Sequence, residues 1–271
     1  MSIDVALIGA GVMGEAILAS LTQAVGADRV RVSDVRAAAG EQVAARHQVR
    51  WCAETADAVA GAAVVIVAVK PQDVAGVLGA ARPVLDTAAV VVSVAAGIPT
   101  SFLEQHLDPG AAAVRVMPNT PATIGAGVSV LSPGTHATTE HLDLVSTLLA
   151  GTGHTTQVPE QHQDVVTAIS GSGPAYVFYL IEALAEAGVL GGLSRELALD
   201  LARRTVAGAG AMAAQSQEHP AVLRERVSSP AGTTMAGLAE LDDRAVRAAV
   251  VAAARRAWER AGELGQHLPA D

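Results

Sequence analysis

Six residues near the start of the chain, Gly9-Ala10-Gly11-Val12-Met13-Gly14, have types and spacing suited to holding a phosphate. The apolar run before them reads as a strand and the run after them as a helix. Asp34 stands twenty positions beyond Gly14, at the end of the next strand-like run. In that setting the glycines differ in what they permit. Gly9 allows a tight turn, Gly11 lets backbone approach a pyrophosphate, and Gly14 lets helix and strand pack closely. The N–H groups of the helix start then face the anion along the positive end of the helix dipole. A glycine-rich turn with no ligand is the alternative, and the strand–turn–helix context argues against it. Asp34 can accept from a ribose 2′-hydroxyl, which suits NAD. Arg36 can meet a 2′-phosphate, which suits NADP, and Ser33 can donate to either. Arg36 and Ser33 together can offset one carboxylate, so the expectation leans to NADP, with NAD as the alternative.

A second constellation lies far downstream. The stretch "VSSPAGTTMAGL", from Val227 to Leu238, interrupts helical sequence rich in Ala, Leu and Arg with serines, threonines, a proline and glycines. A bare turn between helices needs one glycine and one capping residue, so hydroxyls are over-supplied here. Hydroxyls and free backbone N–H groups at a helix start suit an anion. Capping by Thr233 or Thr234 is the plainer reading. Between the two constellations, "VAVKPQD" ends a strand-like run at Lys70, the sole lysine, and Pro71 gives a rigid exit able to line a nucleotide. A lysine snorkelling at a strand end would look the same. His106, His136, His141, His154 and His162 scatter through loops and helix ends with no second ligand at i, i+4, so no metal is assigned.

These residues need elements to hold them. Residues 1–160 alternate β-branched runs ("DVALIG", "RVRVSD", "VVIVAV", "VVVSVA", "AVRVM", "GVSVLS") with amphipathic stretches such as "RAAAGEQVAARH". Continuous apolar strands between helices imply βαβ units and a parallel sheet covered on both faces. After Val158–Glu160 the strand signals stop. Residues 164–214 read as two long helices, the second started by Ser194 and Glu196, and "DDRAVRAAVVAAARRAWERAGEL" as a closing helix. These helices are apolar over more than a narrow stripe, which calls for a partner subunit. Of the 271 residues 51% are hydrophobic but only 2% aromatic, so the core must be built from Ala, Val and Leu. A net charge of −9 argues against a nucleic-acid partner. The single cysteine, Cys52, excludes an internal disulfide and suits a cytoplasmic location. No signal peptide is expected, and no uninterrupted apolar run reaches the roughly 18 residues of a membrane span.

In order and at matching spacing, the chain carries "IGAGVMG", "VAVKPQ", "SVAAGI", "RVMPNTPA", "SGSGPAY" and "VSSPAGTTMAGLAELD". This set resembles the pyrroline-5-carboxylate reductase family from end to end. The first motif is common among dehydrogenases; the last two are specific as a pair. The resemblance implies an α/β Rossmann-type N-terminal domain with a mostly parallel sheet over residues 1–160. It further implies an all-α C-terminal domain over residues 161–271 that binds substrate and interlocks two subunits, as a homodimer or an oligomer of dimers. The implied activity is NAD(P)H-dependent reduction of the cyclic imine 1-pyrroline-5-carboxylate to L-proline, the last step of proline synthesis.

Carried over by position, the resemblance lines the cofactor with Ile8, Gly9, Ala10, Gly11, Val12, Met13 and Gly14, and with Ser33, Asp34, Arg36 and Thr55. Ala68, Val69, Lys70 and Pro71, then Val94, Ala95 and Ala96, complete that wall. It gives the substrate carboxylate to Ser229, Thr233 and their backbone, and sets the Thr234 hydroxyl, the catalytic assignment, at the ring nitrogen. Asn119 borders the nicotinamide end as a substrate residue, or is a turn-forming Asn between two prolines. Tyr176 is read as packing. The chain departs from the pattern at Asp34-Val35-Arg36, where many relatives have Asn-Arg or a serine, and at Thr55, where many have Asn. Ala231 replaces a usual glycine; alanine there is tolerable only at negative φ, so the loop is expected to keep its shape. A β-hydroxyacid dehydrogenase, which uses a lysine of its second domain, is a poor rival because no lysine follows Lys70.

Overall fold

The computed structural model describes residues 3–266. Eight strands form one sheet: β1 (Val5–Ile8), β2 (Val30–Ser33), β3 (Arg50–Trp51), β4 (Val64–Val67), β5 (Val90–Ser93), β6 (Ala112–Met117), β7 (Gly127–Pro133) and β8 (Gly153–Gln157). Their order is β3-β2-β1-β4-β5-β6-β7-β8. All neighbours are parallel except β6 and β7. Helices α1 (Val12–Val25), α2 (Ala37–His47), α3 (Thr55–Val59), α4 (Val74–Ala81), α5 (Thr100–Gln105) and α6 (Thr139–Leu149) connect them.

Every residue of β1, β4 and β5 is buried, as a strand covered on both faces requires. Alternation sends Leu7, Ile66 and Val92 to one face, against α1, α2 and α6. Ala6, Val65 and Val91 go to the other, against α3, α4 and α5. Since β1 pairs with β2 on one side and β4 on the other, the strand order reverses there, and the crevice at the carboxyl ends of β1 and β4 is where a ligand belongs.

Two strands exceed the six expected. β3 has only two residues, and β8 reads Gly-His-Thr-Thr-Gln, polar and largely exposed. Neither carries the apolar pattern that marks a buried strand. β7 runs antiparallel because residues 118–126 return the chain without a crossover long enough for a parallel neighbour.

Contacts divide the chain into Met1–Gly171 with Ala257–Asp271, and Ser172–Arg256. The expected boundary after Glu160 lies before this division, because α7 (Gln163–Val166) and a π-helical turn, Thr167–Gly171, still pack on the sheet unit. The second unit holds α8 (Gly173–Leu190), α9 (Arg195–Gln215), α10 (Pro220–Arg226) and α11 (Thr233–Asp243), with the start of α12 (Val246–Gln266). Ser194 caps α9 by accepting from the Leu197 N–H at 3.3 Å, as expected. The anticipated closing helix is broken, since α11 runs to Asp243 and Ala245 turns the chain at φ +53 before α12 begins.

Helices α8 and α9 pack through buried Ala185, Ala198 and Ala202. A Cβ on Gly188 would sit 2.8 Å from that of Ala198, so glycine permits their close approach. Outside that small seam Phe178, Tyr179, Leu180, Leu184, Leu197 and Leu201 are exposed. Within the helical run Glu160–Leu190 an 18-residue stretch has mean hydropathy 1.2, long and apolar enough to cross a membrane by composition. The sequence expectation missed it because polar residues divide it into shorter apolar stretches.

Candidate active site

At the end of β1 the chain turns sharply at Gly9, with φ +103, and an added Cβ would lie 2.6 Å from the Ala68 carbonyl oxygen. The Gly9 N–H donates to the Ser33 carbonyl at 2.8 Å and the Ala68 N–H to the Ile8 carbonyl at 2.7 Å, lacing together the ends of β1, β2 and β4. A side chain at Gly14 would overlap the Gly9 carbonyl. Gly11, the N-cap of α1, is extended (φ −73, ψ −174) and has no side-chain cap. Nothing lies within 4 Å of where its Cβ would be. The start of this fourteen-residue helix therefore has no side-chain cap and open space beside Gly11. That cradle fits a dinucleotide's pyrophosphate. Glu15, in the first turn, would oppose an anion, but it is paired with Arg46 and with His47 at 3.2 Å. Burial pushes its carboxyl up, and the bonds from His47 and Arg46 outweigh that and hold it low.

Asp34 is buried beside this turn. One carboxylate oxygen accepts from the Ala10 N–H at 2.7 Å; the other accepts from the Arg36 N–H at 2.8 Å and the Arg36 Nε at 3.3 Å. Burial, the largest influence, raises its pKa, and these donors together outweigh it and lower the carboxyl below its ordinary value. Arg36 itself is exposed. Ser33, Asp34, Thr55 and Val69 share a cavity of about 450 Å³ with Gln72 and Glu54. Asp73 also lines it; Gln72 and Asp73 fall within the "VAVKPQD" stretch read as a wall, without a role of their own, while Glu54 carried no sequence signal. Lys70 is exposed at the end of β4's exit, and the Val94 N–H donates to the Val67 carbonyl at 3.0 Å, setting Val94, Ala95 and Ala96 beside that exit.

The amide of Asn119 is committed within the first unit. It donates to the Ser170 carbonyl at 3.0 Å and accepts from the Val128 N–H at 2.9 Å, tying the end of β6 to the π-helical turn and to β7. Beneath it, buried Arg115 reaches Glu160 at 3.3 Å and Asp164 at 3.7 Å. Glu160 also accepts from the Thr100 N–H at 2.7 Å, capping α5 from a distance, and from the Thr100 hydroxyl.

In the second unit the hydroxyl-rich loop closes as a β-turn, the Gly232 N–H donating to the Ser229 carbonyl at 3.0 Å. Thr233 and Thr234 are the first residues of α11, and Gly232, its N-cap, leaves the helix start without a side-chain cap. A Cβ at Gly232 would strike the Ser229 hydroxyl, so Ser229 folds over the helix start. Ala231 has φ +58, which corrects the expectation of a negative φ. Proline at the second turn position and a positive φ at the third define a type II turn, where glycine is preferred. Among the described residues no group of His, Cys, Asp and Glu is placed to hold a metal ion.

Comparison with known proteins bears on both units. Residues 160–264 match the family model described as pyrroline-5-carboxylate reductase dimerisation, and residues 4–97 the model described as NADP oxidoreductase coenzyme F420-dependent. A pyrroline-5-carboxylate reductase of Methanosarcina acetivorans is 40% identical over 97% of this chain and 98% of its own. A solved pyrroline-5-carboxylate reductase from Coxiella burnetii is 30% identical with a TM-score of 0.93, covering 97% of this chain and 99% of its own. The Plasmodium falciparum pyrroline carboxylate reductase, solved with NADP bound, is 27% identical with a TM-score of 0.85, covering 97% of this chain and 98% of its own.

Proposed function

The chain belongs to the pyrroline-5-carboxylate reductase family and is an NAD(P)H-dependent oxidoreductase, and we propose that it reduces 1-pyrroline-5-carboxylate to L-proline. The observation that carries this reading is the uncapped start of α1 with open space beside Gly11, joined to family membership over nearly the whole chain. A bound nicotinamide supplies hydride to the imine carbon. The chain's own part is binding and orientation. The start of α1 receives the pyrophosphate, and the ends of β1, β4 and β5 flank the nucleotide. Ser229, Thr233 and the N–H groups at the start of α11 hold the substrate carboxylate, and Thr234 sets its hydroxyl at the ring nitrogen. No lysine, histidine or carboxylate lies in that loop. The imine therefore arrives protonated or gains its proton through Thr234 and water, and rate enhancement rests on positioning. Asn119 borders the nicotinamide end and acts through the backbone it ties, with one amide proton beyond its bond to Ser170.

NADPH is the proposed nucleotide, received at its 2′-phosphate by exposed Arg36 with Ser33. NADH is the second reading, favoured by Asp34, Glu54 and Asp73 around the cavity, three carboxylates that repel a phosphate. The matched dimerisation segment and the exposed apolar face of α8 and α9 support a homodimer; its further assembly as an oligomer of dimers and its place in the cytoplasm are proposed with it. Thr234→Ala is expected to lower turnover at least about tenfold, roughly 1.4 kcal/mol. Reduction of the imine by that variant at the parent rate would remove Thr234 from the chemistry.

A further inference from the structure

We propose that Ala231 is a positioning residue whose strained backbone keeps the substrate turn partly open, so that the substrate itself must close it. The proposal rests on the assignment of the Ser229–Thr234 loop to the substrate carboxylate. At φ +58, Ala231 occupies the left-handed region that alanine disfavours and glycine adopts freely. Glycine does follow, at Gly232, but there it serves space rather than φ, because a side chain would strike the Ser229 hydroxyl while the backbone is extended at φ −81. The residue able to relax the turn thus sits one position away from where it is needed.

Within a single chain, little opposes opening. The turn is closed by the Gly232 N–H to Ser229 bond, Ser229, Pro230 and Ala231 are exposed, and α11 buries no residue within the chain. Few buried contacts place a segment at the low end of local stability. A site competent for only a fraction of the time binds more weakly by that fraction. Because the Ala231 methyl is exposed, substitution there reads backbone preference with little change in packing.

The test is a series at position 231 in the full-length enzyme, with Thr234→Ala run alongside. Ala231→Gly is expected to lower KM for the cyclic imine about fivefold, the factor that roughly 1 kcal/mol represents, with kcat and the nucleotide KM held within about twofold. Ala231→Asn, tolerant of the left-handed region, falls between glycine and alanine, and Ala231→Val raises KM above the parent. Unchanged KM across the series while Thr234→Ala cripples turnover would overturn the proposal and leave the substrate loop standing. Unchanged KM with a silent Thr234→Ala would remove the loop from the site altogether, and the proposal with it. Melting temperature rising through the series without a change in KM also refutes it, since the strain would then be held by the fold.

Discussion

Gly11 and Gly14 belong to one motif, yet the structure gives their replacement by alanine opposite consequences. Gly11 already has an extended backbone that alanine adopts freely, and an added methyl meets no atom within 4 Å. Its folding cost is the loss of a tolerated N-cap, about 0.5–1 kcal/mol, which for a chain of this size lowers the melting temperature by about 1–4 °C. The free space that accepts the methyl is the space assigned to the pyrophosphate, so nucleotide affinity should fall about 10- to 100-fold, or 1.4–2.8 kcal/mol. Gly14→Ala instead drives a methyl into the Gly9 carbonyl, a backbone atom of the turn itself. Overpacking of that kind costs about 1–3 kcal/mol or more, so this variant loses stability before any ligand is added. Calorimetric titration with NADP⁺ and NAD⁺, paired with melting curves of the nucleotide-free proteins, separates the two. Parent affinity for both nucleotides in Gly11→Ala would refute the assignment of the α1 start to the pyrophosphate.

Two further outcomes follow from the polar contacts. Glu160→Ala removes the cap of α5 and leaves buried Arg115 with the longer contact to Asp164. Breaking a buried pair costs about 3–5 kcal/mol, and partial exposure of Glu160 reduces this to about 2–3; a loss of unfolding free energy in urea under about 0.5 kcal/mol would contradict it. Asp34, with its pKa lowered in the folded state, contributes stability that is fully present above its unfolded pKa and is lost as pH falls through the lower folded value. Asp34→Asn should therefore be less stable than the parent at neutral pH and show a flatter acid limb below about pH 4, read from melting temperature against pH. Parallel curves for the two proteins would contradict the contribution of that carboxylate.

The alternation of buried β-branched strands with helices was legible in the sequence because burial on both faces leaves continuous apolar runs, as in "VVIV" of β4. The glycine turn was legible because spacing and context allow one geometry. β3 and β8 were not: a two-residue strand and a polar edge strand carry no periodic signal. The division at Gly171 was hidden since helical sequence continues through it, while the Asn119 bond to Ser170 and the approach of Met117 to Gly171 hold that turn to the sheet. The positive φ of Ala231 was read with the wrong sign because the residue type argued against it and the turn, not the residue, decided.

The most direct measurement is the absorbance of NADPH, and of NADH beside it, when the purified protein meets 1-pyrroline-5-carboxylate, with L-proline quantified in the same sample. Reduced nucleotide should disappear one for one with proline formed, faster with NADPH, if the start of α1 receives the nucleotide and the Ser229–Thr234 loop the imine. Nucleotide that binds but keeps its absorbance in the presence of the imine would contradict that pairing.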